Sequence, residues 1–393
     1  MSSPNNVDHE PLEEFLISDP VPAAGPLPGS AKKTRQHIVP QWLQRGFSQS
    51  KDPKRVKVAV YRKDSEPIFT NIVNVGVRKS FFTSTYFDGD KSVTQLDSEF
   101  AAIIDKLRGQ EGSLTGEDEK KACRLFAHLE VRHHGIDRIV REMWANILPI
   151  LFDHVRNEKE LQDWIHKPVL SQQNCMDAIA RNCAHQLRQA KACRGAPPVN
   201  LREMIRYAAD YIDSFKALMS TDVAATGAVP ELVAEKYAKL IDRKEVLEHS
   251  IVYNRSRGMF LHADAKSRVA GYSNYSWKIV HFPENIVLPD SMVFHEATDS
   301  SLIQNYLYVP ARQLASYLPI SSRSALVGRS KAHKRRLPNA AQMRHMAAQA
   351  SFKYFIVAVQ REAYGRLKSK IGKHRKYSTP AIWRLVVKEC LAH

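Results

Sequence analysis

Apolar residues change their spacing several times along this chain, and each change marks an element. Val56, Val58 and Val60 alternate with charged or small residues, which predicts a strand ending at Tyr61. Pro67 to Val75 is a second extended run, and the polar link Arg62–Glu66 predicts that the two pair. Just upstream, Pro40 fits the first turn of a helix and Gly46 suits a left-handed C-cap, so Gln41–Arg45 is expected to be a short helix. From Val93 the period becomes helical, through Leu96, Phe100, Ile103, Ile104 and Leu107. Thr115 with Asp118 predicts the capped start of a longer helix carrying Ala122, Leu125, Phe126 and Leu129, then Ile136, Val140, Met143, Trp144 and Ile147. Gly135 and Pro149 should bend or divide it.

Further helices are expected at about 170–192, 200–220 and 230–248. Residues 249–328 then hold short apolar runs between turn residues: Ile251–Tyr253, Met259–His262, Trp277–His281, Ile286–Leu288 and Tyr306–Val309. These read as strands of one small sheet. After Pro338 the pattern predicts one long helix to about Ile371, stopped by Gly372. The fold class expected is α+β, predominantly α-helical, with a small mixed or antiparallel sheet.

Charge adds a division into three parts. The formal net charge is +17. Residues 1–31 carry five acids, no Lys or Arg, and six prolines, so a disordered acidic tail is expected. Residues 32–330 form the α+β domain, with strand signals near 56–75 and 250–310. Residues 331–393 form a basic helical extension. The span 323–376 holds fifteen bases and one acid, Glu362. Such a block attracts nucleic acid, anionic lipid or an acidic protein, or it is a solvated face with no partner. No stretch approaches the roughly 18 apolar residues of a membrane span. No secretory signal is read at the N-terminus. The five cysteines form no CxxC pair, and free thiols in a reducing cytoplasm are the expectation.

Gln36-His37-Ile38-Val39-Pro40-Gln41-Trp42-Leu43, followed by Gly46-Phe47, resembles the opening signature of Domain of Unknown Function 4238, a largely bacterial family. Val75-Gly76 through Phe81-Phe82, then Leu96-Asp97, is similar to its aromatic and Leu-Glu stretch, with Asp replacing the usual Glu. Glu130-Val131-Arg132 resembles its helical arginine site, without the Thr-Pro that often follows. Trp277-Lys278-Ile279 and Leu288-Pro289-Asp290-Ser291-Met292-Val293 resemble its tryptophan strand and Ser-Asp-Asn-Pro-Val turn, where Asp and Val match. The resemblance spans about residues 34–330 and implies positions rather than a reaction.

His37, Asp97 (or its neighbour Glu99), Arg132 and Asp290 are therefore the candidate catalytic residues. A histidine, two carboxylates and an arginine suffice for acid–base attack on a phosphodiester, with a divalent metal as the cofactor such chemistry admits. The alternatives are structural. His37 could satisfy a buried backbone group, Asp290 could bond its own turn, and Arg132 could pair with Glu130 or Asp137. Asp264-Ala265-Lys266 is half of a restriction-type metal site, and Arg243 with His249 has the spacing of a helical ribonuclease pair; both patterns are weak. No zinc spacing, Walker loop, GxGxxG or GxSxG is present. Lys331, Lys334, Arg335 and Arg336, with Lys373, Arg375 and Lys376, are the candidate nucleic-acid contacts. Phe352, Tyr354, Phe355, Tyr364, Tyr377 and Trp383 lie among these bases. Two functions follow: a nucleic-acid-cleaving effector of a bacterial defence or toxin type, or a non-catalytic module that docks on nucleic acid or an acidic partner.

Overall fold

The structure, a computed structural model, describes residues 35–133, 173–189, 271–297, 313–330, 336–373 and 379–392 apart from a few breaks, with scattered positions between 150 and 304. The expected tail at 1–31, the second half of the long helix, the helix at 230–248 and the runs at 251–262 and 306–309 lie outside the described residues. So do Asp264 with Lys266 and Arg243 with His249. Of the helix expected at 200–220, Leu201, Met204, Ile205, Ala208, Ala209 and Ile212 are helical and buried.

The first half contains β1 (Arg35–His37), α1 (Gln41–Arg45), β2 (Lys57–Arg62), β3 (Ile68–Asn71), β4 (Val77–Lys79), β5 (Thr83–Ser84) and β6 (Phe87–Asp88). These are followed by α2 (Asp90–Arg108), β7 (Gly112–Ser113), α3 (Glu117–Leu129) and α4 (Gln173–Gln189). The second half contains β8 (Tyr275–His281), β9 (Leu288–Pro289), β10 (Phe294–Ala297), β11 (Ile303–Gln304), β12 (Gln313–Ser321) and β13 (Ser324–Ser330). It closes with α5 (Ala340–Ala350), β14 (Tyr354–Val357), α6 (Glu362–Gly365) and α7 (Thr379–Ala392).

The result is mixed α+β, with more sheet than the small one expected. One sheet has six strands in the order β11-β10-β12-β13-β8-β7, and another has four in the order β3-β2-β14-β9. Two further strand pairs, β1 with β4 and β5 with β6, stand apart, and every described pairing is antiparallel. The central strands are buried on both faces. Val58, Ala59, Val60 and Tyr61 of β2 are all buried, as are Tyr354, Phe355, Ile356 and Val357 of β14. Each such Val, Ile or Phe side chain contributes about 1.5–3 kcal/mol on leaving water. Tyr61 stacks on Phe355 at 5.2 Å, which ties the two strands across their shared face. In the larger sheet Trp277 lies flat against Gly328, where an added Cβ would stand 2.6 Å from the indole.

The expected helix from Pro338 to Ile371 is the main correction. It ends at Ala350, and the chain turns into β14, which lies between β2 and β9. A short continuous apolar run such as Tyr354–Val359 does not distinguish a buried helix from a buried strand. The hairpin β12–β13, the longest among the described residues, falls outside the strand runs expected, because it carries small residues such as Ala315, Ser316 and Ala325 rather than a clear alternation. Three smaller differences are local. The extended run from Pro67 stops at Asn71, whose side chain accepts from Val73 N at 3.0 Å and starts a single 3-10 turn. Gly116, not Thr115, is the N-cap of α3, and Glu117, Asp118 and Glu119 sit in its first turn. Gly46 is right-handed at φ −64°, so it is glycine for another reason, given below.

Helix α4 packs against α7, and Asn182 and Gln186 both donate to the Glu389 carboxylate. No helix among the described residues is long and apolar enough to cross a membrane. Cys123, Cys183 and Cys390 are buried free thiols, and burial pushes the Cys183 thiol up to about 12.

Candidate functional site

Most polar groups of the segment Gln36–Gly46 are used to hold neighbouring chain. Gln36 accepts from Phe82 N at 2.6 Å. Ile38 N donates to Gly76 O at 2.7 Å, extending the pairing of β1 with β4. Gln44 is fully buried and donates to Val39 O at 2.7 Å and Val75 O at 3.1 Å. Trp42 donates to the Asp97 carboxylate at 3.3 Å. Gly46 lies so close to the β12–β13 turn that a Cβ would be 2.2 Å from Ile320 O. Its own carbonyl accepts from Ser322 N at 2.8 Å. Arg108, at the end of α2 and not singled out by the sequence, donates to Trp42 O at 2.7 Å and Ile320 O at 2.8 Å.

Three of the four candidate catalytic residues meet. Arg132 follows α3 and is buried. Its guanidinium takes the Asp97 carboxylate with both terminal nitrogens and also donates to the His37 carbonyl. The Phe82 ring covers it at 4.7 Å from the ring centre, a cation–π contact in a dry setting. His128, one helical turn earlier, is 3.3 Å away. Thus Arg132 pairs with Asp97 and not with Glu130, while Glu99 is engaged with Arg124 at 2.8 Å. The His37 ring is half-buried. Burial lowers its pKa, opposed by hydrogen bonding to the Val73 backbone and aided by the Arg132 charge, so it is neutral at pH 7. Gln41 Nε2 lies 3.1 Å from His37 Nε2.

Asp290 is elsewhere. It makes no hydrogen bond to His37, Asp97 or Arg132. Its carboxylate accepts from Phe352 N at 2.6 Å and Lys353 N at 2.8 Å. Those amides would continue α5 if they bonded the preceding turn. Asp290 takes them instead, and the chain leaves the helix for β14. Burial raises its pKa to about 7, against the lowering effect of these backbone donors.

A second buried polar group lies under the larger sheet. Tyr272 donates to Glu130, whose carboxylate is 3.9 Å from His295 Nε2. His295 Nδ1 is 3.0 Å from Ser316 Oγ on the paired strand. Glu130, His295 and Ser316 are all buried, and burial lowers the His295 pKa to about 3. Among the described residues no group of three His, Cys, Asp or Glu is placed to hold a metal ion.

Of the candidate nucleic-acid contacts, Arg336 and Lys373 are exposed. Lys331, Lys334, Arg335, Arg375 and Lys376 lie outside the described residues. Sequence reasoning missed a cleft of ≈ 510 Å³ whose lining includes Arg323, Arg344, His345, Arg361 and Arg366, with Glu284 as its one carboxylate. The density of bases was the available signal. The single long helix expected there spread Arg361 and Arg366 around an axis instead of gathering them.

The model of the family described as protein of unknown function, DUF4238, matches residues 35–367. Neither the curated proteins nor the solved structures yield a significant match. The matched span takes in the Gln36–Gly46 segment, the Arg132 cluster and β14 alike, and the chain belongs to the DUF4238 family.

Proposed function

We propose that this protein binds nucleic acid through a basic face built on residues 361–373. The observation that supports this reading is an imbalance of charge. Arg361, Arg366, Lys368, Lys370 and Lys373 stand in one short segment with a single acid, Glu362, and none of the five forms an ion pair among the described residues. Unpaired cations on one surface favour a chain of phosphates, whose condensed counterions are released on binding. A reducing, cytoplasmic setting is part of the proposal and accords with the buried free thiols.

A nuclease-type effector of bacterial defence, with His37, Asp97 and Arg132 as its site, is the second reading. Its support is the convergence of the three residues and the neutral, half-buried imidazole. Binding without cleavage has the stronger support, because the Asp97 carboxylate and the Arg132 terminal nitrogens are already occupied by each other and by main chain. One assay addresses both. Labelled RNA and DNA are incubated with the protein across a salt series, with and without Mg²⁺ or Mn²⁺. Binding is expected to weaken with salt, with a log–log slope of about −0.7 to −0.9 per phosphate contacted. Arg366→Glu with Lys370→Glu should weaken it further. Absence of binding at low salt ends the proposal, and cleavage that survives His37→Ala removes the catalytic site.

A further inference from the structure

The cleft beside α5 differs from the rest of the basic face in being concave and in how its arginines are held. Pro283–Asn285, the turn at Arg323, the first half of α5 and the segment Arg361–Leu367 form its walls. Arg344 is fixed at the back by Asn285 O and Glu284 Oε2, each at 2.8 Å. Arg323 Nε is held more loosely by Asn285 Oδ1 at 3.3 Å. Arg361 is anchored through its backbone, which both donates to and accepts from Tyr61 Oη at 2.9 Å. Among the described residues its guanidinium and that of Arg366 have no partner. His345 stands among them as a neutral imidazole, its pKa lowered by burial and by Lys370.

Four arginines and one carboxylate line this cleft, and the carboxylate is taken by Arg344, which leaves Arg323, Arg361 and Arg366 as its positive excess. An internal phosphodiester carries one charge and two free oxygens, and a track of separated lysines suits it. A terminal phosphate monoester carries nearly twice the charge and three acceptor oxygens, which match several converging arginine forks.

We infer that this cleft, through Arg323, Arg361 and Arg366, binds the terminal phosphate of a nucleic-acid chain. The inference rests on the nucleic-acid reading above and assigns one end of the strand to one place on the protein. The strand then runs out along Lys368, Lys370 and Lys373.

The test is equilibrium binding of the full chain to one fluorescent oligonucleotide prepared with a 5′-phosphate, a 3′-phosphate or hydroxyls at both ends. A phosphorylated end is expected to tighten binding about tenfold, as charge-assisted hydrogen bonds to a dianion would. Arg361→Ala with Arg366→Ala should erase that difference while leaving the melting temperature unchanged, since both side chains are exposed. Equal affinity for all three oligonucleotides overturns the inference and leaves the nucleic-acid reading standing. So does a preference that persists in the double variant. A nucleoside monophosphate that binds as tightly as the phosphorylated oligonucleotide overturns it in favour of a free nucleotide. If no oligonucleotide binds at low salt, both readings fall together.

Discussion

Arg132 and Asp97 face each other through two parallel contacts, with Nη2 2.9 Å from Oδ2, although the Arg132 side chain is only 2 % exposed. The pair joins the end of α3 to the middle of α2, and the third donor contact, to the His37 carbonyl, adds β1. Removing one partner leaves a buried charge with no counter-charge. Asp97→Ala is therefore expected to lower stability by about 3–5 kcal/mol in urea unfolding. Replacing both residues together, Asp97→Leu with Arg132→Met, should cost less than the single change. A double variant that is worse than Asp97→Ala would argue that Arg132 is held for a purpose other than the pair.

Gly46→Ala should be destabilising by about 1–3 kcal/mol, as overpacking in a filled site is. Backbone conformation is not the reason, because φ at Gly46 suits any residue. The reason is Ile320 O, which an added Cβ would meet at 2.2 Å. Thermal unfolding should show the loss, and a neutral result would mean that the β12–β13 turn gives way easily.

Asp290 makes stability depend on pH. Its folded pKa of about 7 lies above that of a free carboxyl, so between these values the folded chain holds a proton that the unfolded chain has lost. Its contribution is full below about pH 4, declines as pH rises through about 7, and is level above that. Asp290→Asn removes this titration and leaves one of the two amides, Phe352 N or Lys353 N, facing a group that cannot accept. The variant should be less stable at acid pH, with the gap to the native chain narrowing between about pH 4 and pH 7. A gap independent of pH would show that Asp290 ionises normally.

The acidic segment 1–31 and the basic face carry opposite charge. Competition between that segment and a polyanion predicts that deleting residues 1–31 tightens nucleic-acid binding at low salt and has little effect at high salt, where such attraction is screened. Equal affinity of the two proteins at low salt would remove the segment from the account.

How much was legible in the sequence depends on the range of the interaction that shapes each element. The short helix after Pro40, the strand after Val56 and the period of α2 were readable, because proline geometry, alternation and spacing are local. The grouping of His37, Asp97 and Arg132 was suggested by motif order alone, and the structure joins them through contacts as far as 95 residues apart. Asp290 belonged to the same motif set yet serves a different task, since the amides it accepts lie more than sixty residues later.

From the sequence alone come the charge, its uneven placement, the family signature and the elements whose pattern repeats over a few residues. These depend on near neighbours and survive any arrangement of the rest. Tertiary structure alone decided that Tyr354–Val357 is a strand, that Gly46 must lack a side chain, and that Arg361 and Arg366 share a cleft. In each case the deciding atom, whether the Asp290 carboxylate, the Ile320 carbonyl or the wall at Pro283–Asn285, comes from a distant part of the chain, and a buried apolar run adopts whichever backbone lets those groups be satisfied.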